Sequence, residues 1–175
     1  MFKTEEQIRK LAPLIGMMLC VAAEAFAQEK QAGARRIVVS IPDRKLAVLE
    51  AGRVLRIFPT AVGAPASPSP AGEFKIVDRI PDPTWYGKGR VVPPGKANPL
   101  GTRWLGLSVK GYGIHGTNSP ASIGHNASHG CIRMRNHDVE QLFEMVSVGD
   151  EVELYDEATP ETAQIFGAAA TGGAE

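Results

Sequence analysis

The stretch Ile114–Arg135 reads IHGTNSPASIGHNASHGCIRMR and holds three of the four histidines of the 175-residue chain, together with Cys131. A thiol needs a partner to react at neutral pH because its ordinary pKa is about 8.5, and imidazole is the usual partner. In an extended segment His129 shares a face with Cys131, and the loop after His115 is long enough to return that imidazole to the thiol. The stretch therefore predicts a nucleophilic thiol and covalent acyl transfer on Cys131, with a buried inert cysteine as the alternative.

Two further interpretations concern the residues around the thiol. Gly130 permits a close approach of the backbone to a substrate, so the amides of Gly130 and Cys131 are candidate donors to a developing oxyanion. A zinc site is the competing interpretation, because His125 and His129 have the spacing of ligands on a helix. The residues around them are poor helix formers, so we predict no metal and no cofactor.

Outward from this stretch, the sequence predicts a mainly β domain with one principal helix. The period-two runs Lys45–Glu50 and Arg53–Phe58 flank Ala51-Gly52 and predict a hairpin. Further strands are expected at Arg36–Ile41, Glu73–Ile80, Trp104–Val109, Tyr112–His115 and Glu151–Tyr155. Asn136 is predicted to cap the helix, whose apolar stripe comprises Val139, Leu142, Phe143 and Val146. Ten of the 13 prolines lie between Pro59 and Pro120, which predicts ordered loops there, including a long one over 81–103.

Composition and charge limit the classes of function. Apolar residues make up 43% of the chain, which excludes wholesale disorder, and the net charge of zero argues against a dedicated nucleic-acid binder. Residues 28–135 nevertheless contain 16 Lys and Arg against 6 Asp and Glu, whereas residues 136–175 contain 10 acids and no Lys or Arg. We therefore expect residues 28–135 to attract anions, and we expect 156–175 to be a flexible acidic tail.

The N-terminal segment has the pattern of an export signal. An uncharged run of thirteen residues, Leu11–Ala23, is too short to span a bilayer, which needs about 20 residues, and it precedes Ala25-Phe26-Ala27. We predict a signal peptide over 1–27, followed by a linker over 28–35; an uncleaved anchor is the alternative. Cleavage would remove Cys20 and leave Cys131 as the single thiol of an exported protein.

The motif itself carries a family resemblance. His115-Gly116-Thr117, followed by Ser128-His129-Gly130-Cys131-Ile132-Arg133, resembles the signature of the L,D-transpeptidase family, the YkuD-type catalytic domain, and the likeness extends over 36–155. The resemblance implies a β-sandwich-like catalytic domain with long loops. It also implies that Cys131 is the nucleophile, that His115 is the proton donor and acceptor, and that the Gly116 carbonyl orients His115. His129 would support the nucleophile, and Gly130 would supply an oxyanion amide.

The same resemblance implies a substrate. Such enzymes attack the L-centre of the third residue of a peptidoglycan tetrapeptide stem, release D-Ala and pass the acyl group from the thioester to an amine. That amine belongs to another stem, or to an outer-membrane protein or lipoprotein, which places the protein in the periplasm or cell envelope. A hydrolase with the same thioester chemistry and a non-catalytic wall-binding protein are the alternatives. Four residues are expected to bind substrate: Trp85, Tyr112, Ser128 and Arg133. For Trp85 and Tyr112, packing in the interior is the alternative role.

Overall fold

A mixed sheet of eight strands forms the framework of the computed structural model, which describes residues 35–87 and 89–167. The sheet order is β11-β9-β8-β5-β12-β1-β2-β3, and β4 with β10 and β6 with β7 form two small additional pairs. The strands are β1 (Arg35–Ser40), β2 (Lys45–Glu50), β3 (Arg53–Pro59), β4 (Val62–Gly63), β5 (Gly72–Pro81), β6 (Trp85–Gly87), β7 (Arg90–Val92), β8 (Arg103–Leu107), β9 (Gly113–His115), β10 (Asn126–Ser128), β11 (Ile132–Arg133) and β12 (Glu151–Tyr155). The helices are α1 (Asn136–Met145) and α2 (Pro160–Gly167). The mainly β prediction is confirmed.

Some of the sequence predictions lie outside these residues. The predicted signal peptide 1–27 and positions 28–34 of the predicted linker are not among them, and neither are 168–175. Position 35 of the linker belongs to β1. Among the described residues, no helix has the length and apolar character needed to cross a bilayer.

The main core lies on one face of β1 and β2, where alternate side chains point the same way. Ile37 and Val39 of β1 join Leu46 and Val48 of β2 in one buried cluster, and α1 contributes Val139, Leu142 and the following Val146. The helix packs against β8 and β9. This packing matters for function because β9 ends at His115 and α1 begins shortly after the Cys131 motif.

A second, smaller core covers the other face of β1 and β2 and corrects the predicted flexible tail. Val38, Ala47 and Leu49 are buried against Ile165 and Phe166 of α2. The guanidinium of Arg36 also binds Glu161 of α2 and Glu153 of β12. The prediction of mobility over 156–175 is therefore wrong for 160–167, and there are two helices rather than one, because β1 and β2 are apolar on both faces and the second face needs a cover.

The start of α1 also differs from the prediction. Arg135 occupies the N-cap position, Asn136 is the first helical residue, and no side chain caps the helix. The Asn136 side chain instead accepts a hydrogen bond from the Thr117 amide, with 3.0 Å between Oδ1 and N. Asn136 thus connects α1 to the segment that follows His115, which a local capping rule does not anticipate.

Candidate active site

A cleft of about 470 Å³ brings the Cys131 motif together with β9, the β6–β7 hairpin and the segment after it. Six of the nine residues predicted for the site line this cleft: Trp85, His115, Ser128, His129, Cys131 and Arg133. Six further residues line it that the sequence did not single out: Arg90, Val92, Ala97, Pro99, Leu100 and Asn118. The parallel pairing of β9 with β11, which places Arg133 beside His115, brings the two halves of the motif together.

His115 is held as a buried neutral imidazole. It is 4% exposed, and its Nδ1 lies 2.5 Å from the carbonyl oxygen of Gly116. A carbonyl only accepts hydrogen bonds, so Nδ1 carries the proton in the neutral ring and Nε2 is the nitrogen with the accepting lone pair. Burial is the main cause that lowers the pKa of His115 to about 4. Backbone hydrogen bonds to Gly116 and Leu100 oppose that effect, and the charge of Arg133 adds to it. The ring also stacks on Trp104, with 5.7 Å between centroids.

Cys131 is half-buried immediately before β11 and carries a protonated thiol. Its Sγ lies 3.7 Å from the carbonyl oxygen of Gly111. Burial raises the pKa of the Cys131 thiol, while a backbone hydrogen bond to Gly113 and the charge of Arg133 partly offset that rise. With His115 neutral and Cys131 protonated, the resting site holds an uncharged thiol and imidazole rather than an ion pair.

Ser128 shapes the loop that carries Cys131. Its hydroxyl donates to the carbonyl of Cys131, with 2.6 Å between the oxygens, and accepts from the amide of Gly130 at 3.0 Å. The Gly130 amide therefore already has a hydrogen-bond partner, and its role as an oxyanion donor stays a prediction. The Cys131 amide donates to no acceptor within 35–87 and 89–167, so it is the donor that this loop leaves for an oxyanion.

Gly130 is required for its conformation and for space. Its φ of +109° is one that L side chains rarely adopt, and a Cβ there would lie 2.6 Å from Cε1 of Tyr112. Tyr112 thus packs behind the loop and is not among the described residues that line the cleft. Its contact with substrate stays a prediction, whereas Trp85 lines the cleft.

Residues 35–87 and 89–167 contain no geometry that matches the competing interpretation, a zinc site. There, no three His, Cys, Asp or Glu side chains are grouped closely enough to hold a metal ion. His125, the partner of His129 in that interpretation, is exposed and does not line the cleft. Asn126–Ser128 forms strand β10 rather than a helical turn, so the spacing does not translate into adjacent ligands.

A hairpin lies inside the segment predicted as one long loop. Strands β6 and β7 pair between 85 and 92, and the fully buried Asn98 fixes their ends. Its Nδ2 donates to the carbonyls of Pro83 at 2.7 Å and Val92 at 3.2 Å, and its Oδ1 accepts from the Leu100 amide at 2.8 Å. The hairpin therefore has a fixed base beside the cleft.

Comparison with known proteins agrees with this geometry. The family model described as the L,D-transpeptidase catalytic domain matches residues 34–154. The YkuD protein of Bacillus licheniformis, named an L,D-transpeptidase, is 43% identical over 119 residues, which are 68% of this chain and 64% of that protein. The YqjB protein of Bacillus subtilis, which bears the same name, is 36% identical over 69% of this chain and 71% of its own length. The chain thus spans less than two thirds of the first of these relatives.

Solved structures show the same fold. An L,D-transpeptidase from Mycobacterium smegmatis is 27% identical with a TM-score of 0.59, covering 70% of this chain and 58% of that one. An LD transpeptidase in complex with imipenem is 25% identical with a TM-score of 0.59, covering 70% of this chain and 59% of that one.

Proposed function

The chain belongs to the family of L,D-transpeptidase catalytic domains, and from that premise we propose that it transfers the acyl group of a peptidoglycan tetrapeptide stem to an amine through a thioester on Cys131. The observation that carries the proposal is that Cys131 and the buried His115 line one cleft, with Nδ1 of His115 held by the Gly116 carbonyl. A neutral imidazole is a proton acceptor, and Nε2 of His115 is the nitrogen available for that role.

The first half-reaction forms the thioester. Nε2 of His115 takes the proton of Cys131 as Sγ bonds to the carbonyl carbon of the third stem residue. The Cys131 amide donates to the oxyanion that develops. The tetrahedral intermediate collapses when His115 returns its proton to the departing nitrogen, and D-Ala leaves as a neutral amine.

The second half-reaction repeats these steps with an incoming amine. His115 accepts a proton from the amine as its nitrogen bonds to the thioester carbon. The carbon–sulfur bond then breaks, and the proton passes from His115 to Sγ, which restores the thiol. Water in place of the amine would give hydrolysis, so the products distinguish the transferase from the hydrolase alternative.

The test is mass spectrometry of a tetrapeptide stem incubated with the protein and an acceptor amine. Cross-linked product and free D-Ala are expected, and Cys131→Ala should yield neither while keeping its unfolding midpoint. A tripeptide product alone would identify a hydrolase, and D-Ala release by Cys131→Ala would refute the nucleophile assignment. Because one relative was solved with imipenem, we also propose that this β-lactam acylates Cys131, which a mass shift on peptide 111–133 would report.

We further propose that the protein is exported and acts in the periplasm or cell envelope, with another stem or an outer-membrane protein or lipoprotein as the source of the amine. The N-terminal pattern of the sequence and the location of peptidoglycan support this proposal. N-terminal sequencing of exported protein should give a mature start at Gln28. A start at Met1 would favour an uncleaved anchor.

A further inference from the structure

One wall of the cleft is the β6–β7 hairpin, and its strand pairing decides which side chains face the cleft. Trp85 pairs with Val92 and Gly87 pairs with Arg90, so these four positions share one face. Three of them line the cleft, and the fourth, Gly87, lies beneath the Trp85 indole, where any side chain would collide with the ring. On the other face of the hairpin, Tyr86 is 75% exposed and Val91 is 63% exposed. Arg90 thus belongs to the cleft face by the geometry of the hairpin.

The described lining of the cleft contains two permanent positive charges and no carboxylate. These charges are Arg90 and Arg133, and neither forms an ion pair with a residue of 35–87 or 89–167. A guanidinium presents a planar set of donors that fits a carboxylate with two parallel hydrogen bonds. The cleft therefore has two places for carboxylates of a bound peptide.

The two arginines lie on different parts of the fold. Arg133 follows Cys131 by two residues and pairs with His115 across β9 and β11, whereas Arg90 lies on the β6–β7 hairpin, which pairs with neither of those strands. In a tetrapeptide stem the carboxylate of D-Ala is separated from the attacked carbonyl carbon by only the nitrogen and one carbon. A carboxylate at the end of the third residue's side chain lies several carbons away. The arginine near the thiol thus suits the first group, and the hairpin arginine suits the second.

We propose that Arg90 is a specificity-determining residue that binds the carboxylate at the end of the third stem residue's side chain, an inference that rests on the proposed transpeptidase function. It selects stems whose third residue resembles diaminopimelate over stems in which that carboxylate is an amide. The buried Asn98 supports the selection because it fixes the base of the hairpin, and with it the backbone of the strand that carries the exposed Arg90.

The experiment compares kcat and KM for D-Ala release from two stems that differ only in the distal group of the third residue, carboxylate or carboxamide. The wild-type protein should prefer the carboxylate stem by about tenfold or more in kcat/KM, the usual scale for a hydrogen bond to a charged group. Arg90→Gln should abolish the preference through a higher KM for the carboxylate stem, and Arg90→Lys should keep part of it. Arg53→Gln, an exposed arginine of β3 away from the cleft, is the matched control and should keep the full preference.

Each other outcome overturns the inference in a distinct way. An equal loss for both stems in Arg90→Gln would mean that the residue only supports the hairpin. Loss of the preference in Arg133→Gln, with Arg90→Gln unchanged, would assign the distal carboxylate to Arg133. No D-Ala release from either stem by the wild-type protein would refute the proposed function itself, whereas turnover without any preference would refute only the role of Arg90.

Discussion

The charge state of His115 has a consequence for the reactivity of Cys131 that can be measured directly. If His115 serves as the base, alkylation of Cys131 should persist until the imidazole protonates, which occurs at a pKa of about 4 rather than the ordinary value of about 6.5. At pH 5 such an imidazole is about nine-tenths neutral, whereas an unperturbed one is about 3% neutral. The predicted difference in rate at pH 5 is therefore about 30-fold.

The assay is iodoacetamide labelling between pH 4 and 10, quantified on peptide 111–133 so that Cys20 does not interfere. The wild-type rate should stay nearly level from pH 7 to 5 and rise only at alkaline pH, as the thiolate forms. In His115→Ala the thiol has no base, so labelling should follow thiolate formation alone and be slow at pH 7, because burial raises the pKa of Cys131. His125→Ala, a change at an exposed histidine outside the cleft, is the control and should retain the wild-type profile.

Two results would refute this reasoning. An inflection near pH 6.5 in the wild type would mean that the imidazole is solvated and ordinary. Loss of the low-pH plateau in His129→Ala, with His115→Ala unchanged, would exchange the roles of the two histidines.

The same pKa shift affects stability. The unfolded chain binds a proton at His115 near pH 6.5 and the folded chain only near pH 4, so the stabilising contribution is complete above pH 6.5 and is lost as the pH falls toward 4. The full effect is about 3 kcal/mol. Labelling data should therefore be paired with circular dichroism at each pH to show that the protein is folded.

Three further changes test the loop and the second core. Ser128→Ala should lower the free energy of unfolding by about 1–3 kcal/mol and slow D-Ala release, because it leaves the Gly130 amide and the Cys131 carbonyl unpaired. An unchanged urea unfolding curve together with unchanged turnover would contradict this. Gly130→Ala should be more destabilising than Gly124→Ala. Both glycines have positive φ, but only at Gly130 would the new methyl group collide with a neighbouring side chain, that of Tyr112. Equal unfolding midpoints for the two variants would exclude that collision. Phe166→Ala should lower the free energy of unfolding in urea by about 3 kcal/mol. The control Gln164→Ala changes an exposed side chain of the same helix and should lower it by less than about 0.5 kcal/mol. Equal losses would mean that α2 does not stabilise the sheet.

The strands and the motif could be predicted from the sequence because their signals are local. Lys45–Glu50 and Arg53–Phe58 alternate over a full strand length, and the structure forms both within one residue of the predicted ends. The hairpin at 85–92 could not be found in this way, because strands of three residues are too short to show a period. Its position depends instead on Asn98, whose hydrogen bonds reach 5, 6 and 15 residues back along the chain.

The sequence contains evidence for the docked helix α2, but that evidence lies outside the helix itself. Nothing within Pro160–Gly167 distinguishes a docked helix from a short polar tail, since only one turn of apolar spacing is available there. The evidence for a cover lies more than 100 residues earlier, where β1 and β2 place Val38, Ala47 and Leu49 on the face away from the main core. A strand that is apolar on both faces predicts a partner on each, although it does not say which part of the chain supplies it.

In the mechanism that we propose, the charge that binds substrate and the group that moves the proton belong to different residues of the cleft. An imidazolium paired with a thiolate would supply a positive charge that disappears as the imidazole titrates, so substrate binding and catalysis would change together with pH. Here His115 is neutral above about pH 4, and the positive charge near the thiol comes from Arg133, which stays protonated throughout the physiological range. Arg133 also disfavours protonation of His115, because two positive groups in one buried cleft repel each other. Burial is the main cause that keeps the imidazole in the form that accepts a proton, and the guanidinium to which we assign attraction of an anionic stem adds to that effect.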